Sequence, residues 1–320
     1  MGAGPASRGA TDVAEHGASD SAKELAGLLA AGERAAFHGR PTAGVDPLRT
    51  AVDLAAGDGL AAEAAAAGWL LGVCLSSAGR YGPALEVLEP LVTPEEGPEV
   101  RLLGALAAAT VASIHRQLGR HAVAQGYDEG ALQASEGAGE AGFDALLGLA
   151  ADAVGLGEGQ VATDRLARAG ELADGRPDWW RQRVRLDWVR AEVALLEGRP
   201  EDAERLAHAA VELAEHSGAP RHVAKGLLFQ GVAQVEAGRP DEAAATLRRA
   251  ALLAESLGTV PLLWPVRAML AALLAERQPA ESERSLLAAR RAVEAVAADL
   301  PADLRADWVG RPDVAAVLGD

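Results

Sequence analysis

Among 320 residues there is one cysteine and there are only two lysines, Lys23 and Lys225. A single cysteine excludes an intramolecular disulfide and a cysteine-based zinc cluster. Cys74 stands in the apolar run Leu70-Leu71-Gly72-Val73-Cys74-Leu75 and reads as a buried structural thiol. The scarcity of lysine goes with the absence of a phosphate-binding G-x-x-x-x-G-K-[ST] loop. No His-Glu-x-x-His, no G-x-S-x-G and no Asp-rich prenyl-diphosphate motif is present. No uncharged apolar run approaches the roughly 18 residues of a membrane span. The first 20 residues are rich in Gly, Ala and Ser without an apolar core, unlike a signal peptide. Ala6 stands where a myristoylation pattern wants Ser or Thr. The net charge of −16 argues against nucleic acid and against an anionic membrane as partners. The expectations are therefore a cytoplasmic protein with no cofactor, no metal and no catalytic residues.

Aromatic residues make up only 3% of the chain, so the apolar half is mostly Ala, Leu and Val. Ala and Leu favour helix, and runs rich in β-branched or aromatic residues are few. The chain reads as all-α. A Gly-Arg turn recurs about every 40 residues, at Gly39-Arg40, Gly79-Arg80, Gly119-Arg120, Gly198-Arg199 and Gly238-Arg239. Degenerate copies stand at Gly157-Glu158 and Arg277-Gln278. A fixed period of this size signals stacked repeats.

Fixed offsets test whether the spacing is accidental. Seven positions before the turn residue stand Gly32, Gly72, Ala112, Ala150, Ala191 and Gly231, with Leu270 the exception. Five after it stand Gly44, Ala84, Ala124, Ala162, Ala203 and Ala243, with Ser282 the exception. Twelve after it stand Ala51, Ala131, Ala169, Ala210, Ala250 and Ala289, with Leu91 the exception. Antiparallel helices approach closely only where facing side chains are small. The first two positions are expected to face each other within a hairpin, and the third to face the next hairpin. Gly ends helix A in the left-handed conformation, and Pro41, Pro200, Pro240 or Pro279 opens helix B. Glu201-Asp202 and Asp241-Glu242 then complement the helix dipole.

Small residues at these places around a Gly turn, followed by an acidic residue and Ala as in Asp241-Glu242-Ala243 and Glu201-Asp202-Ala203, resemble tetratricopeptide (TPR) repeats. The units are longer than the family's usual period of about 34 residues. They resemble the helical arms of bacterial LuxR-type and maltose-activator-like regulators. Most consensus aromatics are missing; Tyr81 is one that survives. The implied fold is a right-handed α-α superhelix of about seven hairpins, over about 20–57, 60–92, 98–137, 140–174, 178–217, 220–257 and 260–299. A disordered tail is expected over 1–19, and capping helices over 300–320, with Trp308 packed on helix B of the last repeat. The run Gly137-Ala138-Gly139-Glu140-Ala141-Gly142 follows a helix rather than a strand, so it reads as an inter-repeat linker and not a dinucleotide site. Glu95-Glu96 reads as solvated linker charge, and His115 and His121 as solvated or capping residues.

The resemblance places partner contacts on the helix A faces two, three, six, ten and thirteen residues before each turn. These positions select Trp69, Ser76, Ser113, Arg116, Gln117, Asp144, Arg185, Trp188, Glu192, Lys225, Trp264 and Arg267. The densest stretch, Trp179 to Arg190, is locally basic, and its Arg181 and Arg185 share a face at i,i+4. One reading is a groove for an acidic or carboxylate-terminated peptide, with Arg and Lys pairing carboxylates and Trp anchoring apolar groups. The other makes Trp188 and Trp264 core residues and the arginines surface decoration. The expected function is a non-enzymatic protein- or peptide-binding scaffold or sensor in bacterial regulation. Alternatives are the detached ligand-sensing arm of a multidomain transcription regulator, and an α/α-toroid enzyme. The last needs a closed ring around paired catalytic carboxylates.

Overall fold

The computed structural model describes residues 8–93 and 97–319. Sixteen α-helices and no strand occur among them. They form seven antiparallel hairpins: α1 (Arg8–His38) with α2 (Val45–Gly57), α3 (Ala61–Ser77) with α4 (Tyr81–Leu88), and α5 (Pro98–Gln117) with α6 (His121–Ala134). Next come α7 (Gly139–Gly155) with α8 (Gly159–Ala173), and α9 (Trp180–Leu196) with α10 (Pro200–His216). The last two are α11 (Pro220–Glu236) with α12 (Pro240–Leu257), and α13 (Val260–Leu274) with α14 (Pro279–Ala298). Two short helices, α15 (Ala302–Gly310) and α16 (Pro312–Leu318), cap the array. The tail read over 1–19 lies outside the described residues up to residue 7, and α1 begins at Arg8. Glu95-Glu96 also lies outside them.

The turn chemistry is as expected at five hairpins. Gly79, Gly119, Gly157, Gly198 and Gly238 all have positive φ. The next residue donates back five positions, as in Arg80 N–H to the Leu75 carbonyl at 2.9 Å. This is the closure that satisfies the last carbonyls of a helix. Two hairpins differ. Gly39 is not left-handed, and a 3-10 turn over Pro41–Gly44 leads into α2 instead. The seventh hairpin has no glycine at its turn, and Gln278 N–H closes on the Leu274 carbonyl at 2.8 Å.

The small positions have a sharper role than the spacing alone implied. The glycine seven before the turn receives a leucine nine after it. A Cβ at Gly231 would fall 2.6 Å from Leu247 Cδ2, and Gly32 and Gly72 are covered in the same way by Leu48 and Leu88. Those three leucines are fully buried. The position twelve after the turn faces the next hairpin: Ala51 packs in one cluster with Ala67, and Ala131 with Ala141 and Ala145. The exception at Leu91 has a cause. Helix α4 is only 8 residues long and ends in a 3-10 turn over Glu89–Leu91, from which Leu91 reaches back over Gly68.

The superhelix makes one turn and meets itself. Thr259 Oγ1 donates to the Ser77 carbonyl at 2.8 Å. Gly82 lies against the Asp299 carbonyl so closely that no side chain fits there, and Arg80 pairs with Asp299. His38 Nδ1 approaches the Gly218 carbonyl at 3.4 Å, and the His38 and Trp180 rings lie 5.3 Å apart. The cap seals this seam. Trp308, fully buried, donates to the Val293 carbonyl of α14 at 3.1 Å, which is the packing expected of it. Arg311 donates to the Gln117 carbonyl.

Candidate functional site

The odd-numbered helices α1 to α13 turn one face inward, and closure makes their faces the wall of a central cavity of about 760 Å³. A second hollow, of about 940 Å³, lies outside under the short α4; apart from Arg49 and Asp53 its lining is mostly apolar. Of the site residues chosen from sequence, Arg116, Arg181, Arg185, Trp188, Glu192, Lys225 and Trp264 all line the central cavity. So do Trp69, Ser76, Ser113, Gln117 and Asp144. Arg267 does not; it pairs with Glu255 on α12.

Trp188 and Trp264 are 4% and 9% exposed and belong to apolar clusters, so they are core residues whose rings also form wall. Lys225 Nζ lies 4.8 Å from the Trp188 ring centre, a cation–π arrangement. The arginines are not decoration. Arg181 pairs with Glu140 at 2.8 Å and with Asp144 at 3.5 Å, and Arg185 pairs with Asp144. Arg181 also lies over the Phe37 ring of α1, across the seam.

Sequence reasoning missed Arg221 and His222. Both line the cavity from the first turn of α11. Among the described residues no carboxylate lies within 4.0 Å of Arg221, and its Nε is buried without a partner. Burial and the nearby Arg185 charge lower the Arg221 guanidinium to about 10. Burial likewise lowers the Lys225 amine to about 8, against the pull of Glu192. His222, 1% exposed, is stacked on Trp188; burial and the surrounding cations hold it well below the usual imidazole range, so it is neutral at pH 7. The signal for Arg221 was in the sequence: it stands one helical turn before Lys225, as Arg181 stands before Arg185.

Below the wall, hairpins three and four are tied by a buried charge cluster. Arg116 Nη2 donates to Asp128 at 2.6 Å, and Arg116 Nε and Nη2 donate to Asp152 at 2.9 and 3.0 Å. His121 Nδ1 meets Asp152 at 2.9 Å. Both carboxylates are fully buried. Burial, helped by the like charge of Asp152, holds the Asp128 carboxyl well above the usual carboxylate range, although Arg116 opposes this. Thus His121 is a hydrogen-bond partner of Asp152 and His115 a buried ring stacked on Tyr127, not the solvated or capping groups expected. The G-x-G-x-x-G run joins hairpins three and four, but only Gly137 and Ala138 are linker: Gly139 to Gly142 form the first turn of α7, not the linker expected of the whole run. Among the described residues no helix is long and apolar enough to cross a membrane.

No protein-family model matches the chain, and no curated protein sequence matches it. Solved structures do. A Rap protein complexed with competence and sporulation factor aligns with a TM-score of 0.62 at 13% identity, over 93% of this chain and 80% of that one. This is a TPR-like helical repeat fold. NprR in complex with its cognate peptide NprX aligns with a TM-score of 0.57 at 12% identity, over 94% of this chain and 89% of that one. At such identities the likeness is one of fold. It favours a TPR-like array over an α/α-toroid as the reason the ends meet.

Proposed function

We propose that this TPR-like array is a non-enzymatic scaffold or sensor that holds an acidic or carboxylate-terminated peptide in its central cavity. The observation that carries the reading is the charge of the wall. In a chain of net charge −16, α9 and α11 bring Arg181, Arg185, Arg221 and Lys225 to one side of a single cavity, beside Trp188. Glu140 and Asp144 offset the α9 pair, so Arg221 and Lys225 carry the spare positive charge, and with an aromatic anchor beside them they suit a carboxylate flanked by an apolar side chain. A volume near 760 Å³ accommodates a short peptide segment and not a folded domain. The likeness to NprR, whose structure holds its cognate peptide, supports the same use of the fold.

Closure of the array also fits the requirement set for a toroid enzyme, but the carboxylates it brings inside are poor candidates for catalysis. Of the carboxylates that line it, Asp144 is held by Arg181 and Arg185 and Asp313 by Arg311, which leaves Glu192 without a free second carboxylate to work with. The test is retention of a random hexapeptide pool by the wild type and by the R185Q/K225Q double variant. At least a tenfold loss in the variant is expected; equal retention by both rejects the peptide reading at this wall.

A further inference from the structure

Equivalent places on successive A helices carry a ladder of charge. Seventeen and thirteen residues before the turn stand Glu140 and Asp144 on α7, Arg181 and Arg185 on α9, and Arg221 and Lys225 on α11. Each pair is spaced i,i+4 and so shares one helix face. The acidic rung on α7 neutralises the basic rung on α9, through the Glu140–Arg181 and Asp144–Arg185 ion pairs. The basic rung on α11 has no such neighbour, because α13 carries Val260 and Trp264 at the matching places. Among the described residues neither Arg221 nor Lys225 has a carboxylate within 4.0 Å. Glu192 acts on Lys225 only from farther away, and nothing acidic acts on Arg221 apart from the buried Cys74 thiol.

A buried guanidinium with an unpaired Nε is costly to hold, and two like charges one turn apart add to the cost. We propose that the ligand supplies the missing acidic rung: two carboxylates on one residue, as at the end of a peptide whose last residue is Asp or Glu. The α-carboxylate and the side-chain carboxylate of that residue then pair with Arg221 and Lys225, whose amine lies against the Trp188 and Phe229 rings. This proposal rests on the peptide reading above and names the residue class that the cavity selects.

Three synthetic hexapeptide pools with the first five positions random test it: one ending in Glu as the free acid, one ending in Glu as the amide, one ending in Gln as the free acid. The wild type is expected to retain the Glu acid pool at least tenfold better than either of the others. R221Q is expected to lose that preference while melting at or above the wild-type temperature, since it removes an uncompensated buried charge. R267Q, outside the cavity, is expected to keep the preference. Equal retention of the three pools by the wild type overturns the acidic-rung proposal and leaves the peptide reading standing. An undiminished preference in R221Q also overturns it. Retention of no pool by the wild type overturns both.

Discussion

Hairpins six and three place different chemistry at one repeat position. In hairpin six, Leu247 stands nine residues after the turn and fills the space left by Gly231. In hairpin three the same place holds Asp128, which is equally buried but lies over Gly148 of α7 and binds Arg116. The apolar knob holds a hairpin to itself. The charged knob instead reaches the next hairpin, because Arg116 also binds Asp152 on α7. The comparison teaches that the repeat fixes backbone spacing and leaves the side chain at the knob free to be spent on something else. Here it fixes Arg116, whose guanidinium borders the cavity.

Exchanging the two chemistries should break this comparison most visibly. L247D puts a carboxylate into hairpin six with no arginine arranged to meet it, and we expect a loss of more than about 4 kcal/mol in chemical denaturation. R116M should cost about 3–5 kcal/mol, because Asp128 and Asp152 stay buried while losing their common partner. D128L should be far milder, within about 1 kcal/mol of wild type, since it restores the leucine used at Leu48, Leu88, Leu166 and Leu247 and leaves Arg116 paired to Asp152. A loss as large as that of R116M would show that the charged knob stabilises hairpin three in its own right.

The smallest effect is one of pH. Burial lowers His115 from 6.5 to about 4, so the folded state binds that proton less readily than the unfolded chain. Its contribution to stability is present above pH 6.5 and is lost as pH falls toward 4. In H115F, which keeps a ring against Tyr127, that loss is absent. The melting temperature of H115F relative to wild type should therefore rise as pH is lowered through this window, and a constant difference would contradict the assignment. Asp128 acts in the opposite sense, since its raised carboxyl favours the folded state at lower pH; comparing single variants separates the two.

The hairpins were legible because their determinants are local. Gly198 and Gly238 cap one helix, Pro200 and Pro240 open the next, and small residues recur at fixed distance from both. The inward face was legible through the same period, which placed Arg185, Trp188, Glu192 and Lys225 on the cavity. What the period could not convey is contact between units far apart in the chain. Nothing near Gly82 announces that it will lie against the Asp299 carbonyl, yet that contact helps turn an open groove into a cavity ringed by helices. Pairing was hidden for the same reason. Arg185 and Arg221 look alike in sequence, but only Arg185 has an acidic residue one repeat away to meet it. Arg267, placed by the same offset as Trp188, pairs instead with Glu255 of the preceding helix and stays off the cavity.

The most direct test of a ligand held inside the closed array is to fill the cavity without touching its charges. Ala151 lines the cavity from α7 and is half-buried. Retention of the random hexapeptide pool should be measured for the wild type and for A151W, with the melting temperature of each as the check on folding. The account predicts that A151W folds and loses at least tenfold in retention. A folded A151W that retains the same peptides as wild type would contradict it and place the binding surface outside the cavity.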